Sequence, residues 1–507
     1  MLDYYLMPHP PIIINEVGKG REIEAINTLN ACKKIGEKIN NLSPETIIII
    51  SPHGTIFRDA ISIVTAPHLK GDLFKFGANN ISFDYEIDTA LTTKIIKNSD
   101  EENIPTVSLD EKTSDLYNID LKLDHGAMVP LYFLGNKKNY KLVHITYGML
   151  SPLELMNFGR CIKKAVKDTK TNAVFIASGD LSHRLTKDGA YPYTPLGAEF
   201  DKALISLLEK GDFKNLFNLD KHLIHEAGEC GLRSLYILAG AINSTNISPK
   251  LLSYEGPFGI GYGVMEFTPN FNNENSNNIN YSSKNGDSNN INYSSKNGDL
   301  YNEILKDKQN ENKKRMNYGN IYTRLARLNL NNYFDNGTLL TIDDLINNPN
   351  LLFNDGNNSN DISKLLKDKK GVFVSLKING DLRGCIGTIS PTTNCIAEEI
   401  INNSISSAIN DPRFSPLRKE ELIDIDISVD ILYPPEKTTF EELDPKNYGV
   451  IVSCNNRRGL LLPNLEGIDT ADKQIEIALE KGGISIDENY TLERFKVKRF
   501  KEVDDGD

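Results

Sequence analysis

Residues 271–299 decide how this chain can fold. The stretch reads FNNENSNNINYSSKNGDSNNINYSSKNGD, with 11 Asn and 6 Ser among 29 residues, and the 12-residue unit 276–287 recurs unchanged as 288–299. Almost nothing in it is apolar, so burial cannot offset the entropy of ordering it. Two copies of so short a unit also fall short of a stacked repeat, which needs three or more longer ones. The tract is expected to be a flexible linker, and the charged stretch 307–315 either extends it or begins a helix. Three segments follow: a first domain over 1–270, a linker over 271–315, and a second domain over 316–507, both domains of ordinary size.

The remaining composition excludes more than it selects. Lys and Arg number 57 and Asp and Glu 69, a formal charge of 57 − 69 = −12. Non-specific nucleic-acid binding needs a basic footprint, so no nucleic-acid partner is expected. No apolar run approaches the ~18 residues of a membrane span, and the start lacks the basic head and apolar stretch of a signal peptide. With six scattered Cys there is no disulfide scaffold, and a cytoplasmic location is expected. The histidines are more telling, because all eight fall within the first 225 residues. Imidazole chemistry therefore belongs to the first domain.

That domain reads as α/β. Residues 21–42 place Ile23, Ile26, Leu29, Cys32, Ile35 and Ile39 on one stripe at a helical period. Short β-branched runs follow at 46–50, 142–146 and 173–177, with a first strand at 3–6, and helical patterns at 152–167 and 197–210 lie between them. Helices alternating with wholly apolar strands predict a largely parallel sheet. His9 stands just past the first strand, His53 just past 46–50, and Asp180 and His183 just past 173–177; His125 precedes the apolar segment 127–134. Open α/β sheets bind ligands beyond the carboxyl ends of their strands, and Gly and Pro neighbours let these loops aim side chains into one crevice. A lone His is more often a satisfied core or surface residue, which is the expectation for His68, His144, His222 and His225. Four histidines in strand-end loops point instead to a metal or acid–base site. Two imidazoles and a carboxylate suit non-haem Fe(II), whereas Zn²⁺ with the same donors would suit hydrolysis. Glu229 and the adjacent Cys230, before an apolar helix at 234–242, both offer a third donor.

In this order, Pro8-His9-Pro10-Pro11, Ser51-Pro52-His53-Gly54, Asp124-His125-Gly126, Ser178-Gly179-Asp180-Leu181-Ser182-His183 and Glu229-Cys230-Gly231 resemble the class III (LigB-type) extradiol dioxygenases and their Memo-like branch. The likeness covers most of 1–268. It implies Fe(II) held by His9, His53 and Glu229, His183 as acid–base residue with Asp180 as its partner, and His125 contacting substrate or oxygen. A cysteine replaces the glutamate in Memo-like proteins, and this chain carries both residues side by side, with Zn or Cu as alternative metals. The implied substrates are a small catechol- or aminophenol-like aromatic and O₂.

The second domain lacks His altogether. Its alternating strands at 371–378, 381–387 and 423–432, with a helix at 395–408, predict an α+β fold. Leu382-Arg383-Gly384-Cys385-Ile386-Gly387, Asp411-Pro412-Arg413-Phe414 and 457–463 resemble the AMMECR family over about 318–502. Cys385 beside Arg383 reads as an activated thiolate or as a buried strand cysteine. Arg383, Arg413 and Arg458 read as an anion-binding patch or as partners of acidic neighbours. Together the halves resemble the AmmeMemoRadiSam arrangement, which implies a radical-SAM partner protein; no Cys-x₃-Cys-x₂-Cys occurs here to supply that function in the same chain. A non-catalytic, metal-handling module working with that partner is the rival to a dioxygenase.

Overall fold

The computed structural model describes residues 2–135, 140–270, 299–318, 320–352, 359–378, 380–465 and 467–502, and divides into two compact units, 1–307 and 308–507. The repeat tract expected to be a flexible linker lies, over 271–298, outside the described residues. For 307–315, read as linker or helix, the structure has the helix, and it starts earlier. It is Leu300–Tyr318, within the segment bounded as linker to 315. Asp299 accepts from Asn302 at its start, Ile304 is buried, and Arg315 pairs with Glu311 one turn away at 2.8 Å. A cap, one buried apolar residue and an i,i+4 ion pair hold a helix that average polarity conceals.

Among the described residues the first unit is built on ten strands: β1 (Leu2–Met7), β2 (Thr46–Ser51), β3 (Ile61–Val64), β4 (His68–Leu73), β5 (Ala78–Glu86), β6 (Thr106–Leu109), β7 (Lys141–Thr146), β8 (Ala173–Ser178), β9 (Ile247–Glu255) and β10 (Tyr262–Pro269). Eight form one sheet in the order β6-β3-β7-β2-β8-β1-β10-β9, while β4 and β5 pair as a separate hairpin. The four central strands β7, β2, β8 and β1 are parallel, and antiparallel pairings join β3 to β7, β10 to β1 and β9 to β10. Every residue of β2 and β8 is buried, as strands covered on both faces must be. Alternation then feeds two cores. Ile48 and Ile50 pack on one side with Phe158 and Phe175, and Ile47 and Ile49 on the other with Ile35 and Leu131.

The helix expected from residue 21 begins later. Arg21–Ala25 is a 3-10 turn after Gly20, which has φ 103°, and the α-helix is Ile26–Leu42. A three-residue period breaks the stripe, leaving Ile23 64% and Ile26 40% exposed, whereas Leu29, Cys32, Ile35 and Ile39 are buried as expected. On the opposite face Pro152–Thr169 packs against Leu232–Ile242. A Cβ on Gly159 would stand 1.9 Å from the Ile237 carbonyl oxygen, so the two backbones touch through it.

The second unit is α+β. Its strands are β11 (Val372–Ile378), β12 (Asp381–Gly387), β13 (Ile425–Leu432), β14 (Glu436–Lys437), β15 (Gly449–Cys454), β16 (Arg457–Leu461), β17 (Thr491–Phe495) and β18 (Val497–Lys501). They form two four-stranded antiparallel sheets, β12-β11-β13-β18 and β14-β17-β15-β16. Ile321–Asn336 and Ile396–Ile409 share a core with the first sheet, and Ala471–Gly482 with the second. Among the described residues no helix is long and apolar enough to cross a membrane.

Candidate metal centre

Three parallel strands end flush, with Met7 level with Ser178 and Ile50 level with Ala177. The chain turns away immediately after each, so His9, His53 and the 179–183 loop meet at one edge of the sheet. His125 comes to the same place as the first residue of the helix His125–Leu134. The ligand nitrogens of His9, His53 and His125 all lie within 4.8 Å of one another. His9 and His53 face each other Nε2 to Nε2 at 2.9 Å, and the rings of His53 and His125 stack with centroids 4.2 Å apart. His9 is buried, His125 half-buried and His53 exposed, so the cluster opens to solvent on the His53 side.

Hydrogen bonding settles the tautomer of His9. The Ser178 hydroxyl donates to the Gly126 carbonyl at 2.6 Å, so at 2.9 Å it must accept from His9 Nδ1. Burial, reinforced by His53, holds the His9 imidazole well below its usual pKa. A neutral ring protonated on Nδ1 turns the Nε2 lone pair toward His53 and the Cys230 sulfur 3.6 Å away. Burial likewise lowers His53, and it brings His125 down to about 4 with help from His9. Three imidazoles held toward the neutral form, with ligand nitrogens this close together, fit a transition metal ion.

Support comes from residues without an assigned role in the sequence. Burial opposes ionisation of Asp124, yet bonds from His144 Nε2 at 2.8 Å and from the Ser51 hydroxyl outweigh it and hold the carboxyl well below its usual range. The same carboxylate caps the helix through Ala127 N–H, fixing His125 in place. His144, expected to be an ordinary core histidine, is thus buried support for the site. Its signal was the Asp124-His125 pair, because a buried carboxylate requires a donor. His68, His222 and His225 are exposed, as expected.

Asp180 and Glu229 have other attachments than those expected. Asp180 accepts the His9 backbone N–H at 2.9 Å, and burial pushes its carboxyl up to about 6. Instead of gripping His183 it braces His9. The imidazole of His183 is lowered by burial, lies 5.1 Å from the Tyr191 ring, and buries an Nε2 that has no hydrogen-bond partner among the described residues. Glu229 accepts from Leu232 N–H at 2.6 Å, so its carboxylate serves the start of the next helix. Cys230 is the one brought to His9. Gly179 and Gly231 make this possible, since a Cβ on Gly179 would stand 2.2 Å from Gly231 Cα. Burial keeps the Cys230 thiol well above its usual pKa, with Asp180 and Glu229 adding to the effect.

In the second unit the arginines pair with acids. Arg383 grips Glu421 at 2.7 and 3.1 Å, Arg413 binds Asp411, and Arg458 meets Glu493 at 2.9 Å. Cys385 accepts from the Ser375 hydroxyl at 3.2 Å, and burial raises its thiol, against the activated-thiolate reading.

A strand-end histidine centre on a mostly parallel sheet, followed by an α+β domain, defines the class. The chain belongs to the LigB family, described as the catalytic LigB subunit of aromatic ring-opening dioxygenase, which matches residues 3–265; AMMECR1 matches 324–503. It is 44% identical over 502 residues to protein CA_C1420 of Clostridium acetobutylicum, spanning 98% of this chain and 99% of that one. A Thermotoga maritima protein is 51% identical over 141 residues, 27% of this chain and 81% of its own length. Among solved structures, the uncharacterized protein PH0010 of Pyrococcus horikoshii is similar at 27% identity and a TM-score of 0.30, over 36% of this chain and 90% of its own.

Proposed function

We propose that the first domain is a non-haem iron dioxygenase of the extradiol type, acting with O₂ on a small catechol- or aminophenol-like aromatic, with the AMMECR1 domain as a fused accessory. The carrying observation is the convergence of His9, His53 and His125 at the strand ends of a LigB domain. His9 and His53 would hold the ion, with Cys230 or Glu229 as third donor. Bound Fe(II) would supply electron transfer between a chelated aromatic and O₂. The protein does the rest. Ser178 and Asp180 fix His9 in one tautomer and one place. His183, neutral at pH 7 with an unengaged Nε2, would take up and return the substrate hydroxyl proton. Phe76, 5.7 Å from the His125 ring, and Tyr191 beside His183 offer faces on which an aromatic ring can lie. The test is metal analysis of anaerobically purified protein, followed by catechol addition and O₂ uptake. Iron at about one per chain with ring-cleavage absorbance is expected; tight copper or zinc without uptake overturns the reading.

One observation favours a second reading. The Cys230 sulfur lies 3.6 Å from His9 Nε2 while Glu229 is engaged with Leu232. Thiolate donors suit softer ions such as Cu(I) and Zn²⁺, which fits a metal-handling module working with a radical-SAM partner protein. Cys230→Ser and Glu229→Gln separate the two. If Cys230→Ser lowers metal affinity by more than the ~10–100-fold that loss of a supporting partner costs and Glu229→Gln leaves it unchanged, the thiol is the ligand; the reverse outcome assigns the carboxylate.

A further inference from the structure

The second unit contains a cavity of about 200 Å³ that no part of the proposed dioxygenase function uses. At ~30 Å³ per water it has room for roughly seven waters, the size of a single-ring molecule rather than a nucleotide. Its floor is the outer end of the first sheet. Ile431 and Lys498 stand opposite each other across β13 and β18, and Tyr433 and Phe500 continue the same face two residues on. Ile396, at the start of its helix, adds apolar surface, and Tyr322 lies on Phe500 with ring centroids 4.3 Å apart at 32°. Aromatic and aliphatic walls of this kind accept a flat ring.

The charge at the mouth is one-sided. Lys364, Lys370 and Lys498 line it, against the single carboxylate of Asp368. The Lys370 ammonium sits over the Tyr433 ring at 4.1 Å and that of Lys498 over Phe500 at 5.0 Å, so both cations are held at the edge of the apolar floor. Neither Lys370 nor Lys498 forms an ion pair with a described residue. Two positioned cations beside stacked rings call for an anion attached to something flat.

We propose that this cavity is a binding site for a single-ring aromatic acid, its ring against the walls that Ile396, Ile431, Tyr433 and Phe500 provide and its carboxylate between Lys370 and Lys498. Whatever metal the first domain holds, the site stands on its own residues. The test is calorimetric titration of the full chain with 4-hydroxybenzoate at low ionic strength, alongside cyclohexanecarboxylate and inorganic phosphate. Saturable 4-hydroxybenzoate binding is expected, weakened about tenfold or more by Lys370→Ala and by Lys498→Ala and unchanged by His53→Ala, with the two other probes binding at least tenfold more weakly. Lys498 is exposed and Lys370 half-buried without an ion pair to a described residue, so their variants should melt like wild type. Absence of saturable binding, binding indifferent to the two lysine substitutions, or equal affinity for cyclohexanecarboxylate or phosphate would each overturn the proposal.

Discussion

His9 is engaged on every side. Its ring is oriented on one side by Ser178, its backbone is held by Asp180, and its free nitrogen meets His53 and Cys230. His9→Ala is therefore expected to abolish stoichiometric metal binding. His183→Ala is expected to retain the metal while turnover falls by about 10²–10⁴, the ordinary worth of a positioned acid–base group. Metal content and O₂ uptake measured on both variants check this, and equal metal content in the two would refute the assignment. His9, His53 and His125 could be found from sequence because each stands in a Gly- or Pro-flanked loop beside a strand or helix end. His144 lies within an apolar strand and looks like core; only the need of Asp124 for a donor pointed to it. Glu229 and Cys230 could not be separated. They are neighbours, and only the close passage of Gly179 over Gly231 determines which of them faces His9.

Between elements, the contact that governs the 178–183 loop is its attachment to the helix Pro195–Glu209. Asp201 on that helix is fully buried and accepts from Ser182 N–H at 2.7 Å and from the Tyr254 hydroxyl at 2.8 Å. Burial pushes its carboxyl from 3.8 up to about 7, although both bonds oppose the rise. Between those values the folded chain keeps a proton that the unfolded chain has lost. Stability attributable to Asp201 must fall as pH rises from about 4 to about 7, and level off above that. Asp201→Asn can still accept from Ser182 and can donate to Tyr254. The variant should thus melt with less pH dependence than wild type between pH 5 and 8, by several degrees; identical slopes would show that Asp201 does not titrate there. Element positions were legible wherever a strand was wholly apolar, as in β2 and β8. They were less legible where a 3-10 turn broke the period at Arg21–Ala25, or where capping and an ion pair stabilised the polar helix from Leu300.

At the scale of the whole molecule, each unit closes its own hydrophobic core, and the histidines all belong to one of them. Metal added at 100 times its dissociation constant contributes about 2.7 kcal/mol to the state that binds it. That should raise the melting of the first unit by about 5–10 °C and leave the second where it was. Calorimetry with and without metal, repeated on His9→Ala, checks this; a rise in both transitions, or in the variant, would contradict it. The centre also has a history written into its spacing. His9 and Cys230 are 221 residues apart in the chain, so at 5–20 residues per second a ribosome needs roughly ten to forty seconds to make one after the other. With Cys230 as the proposed third donor, no nascent fragment ending before it would hold the complete set. On the proposed reading, an ion would be captured by that set only after β1, β2 and β8 have assembled side by side, so loading would mark a finished fold and not guide an unfinished one.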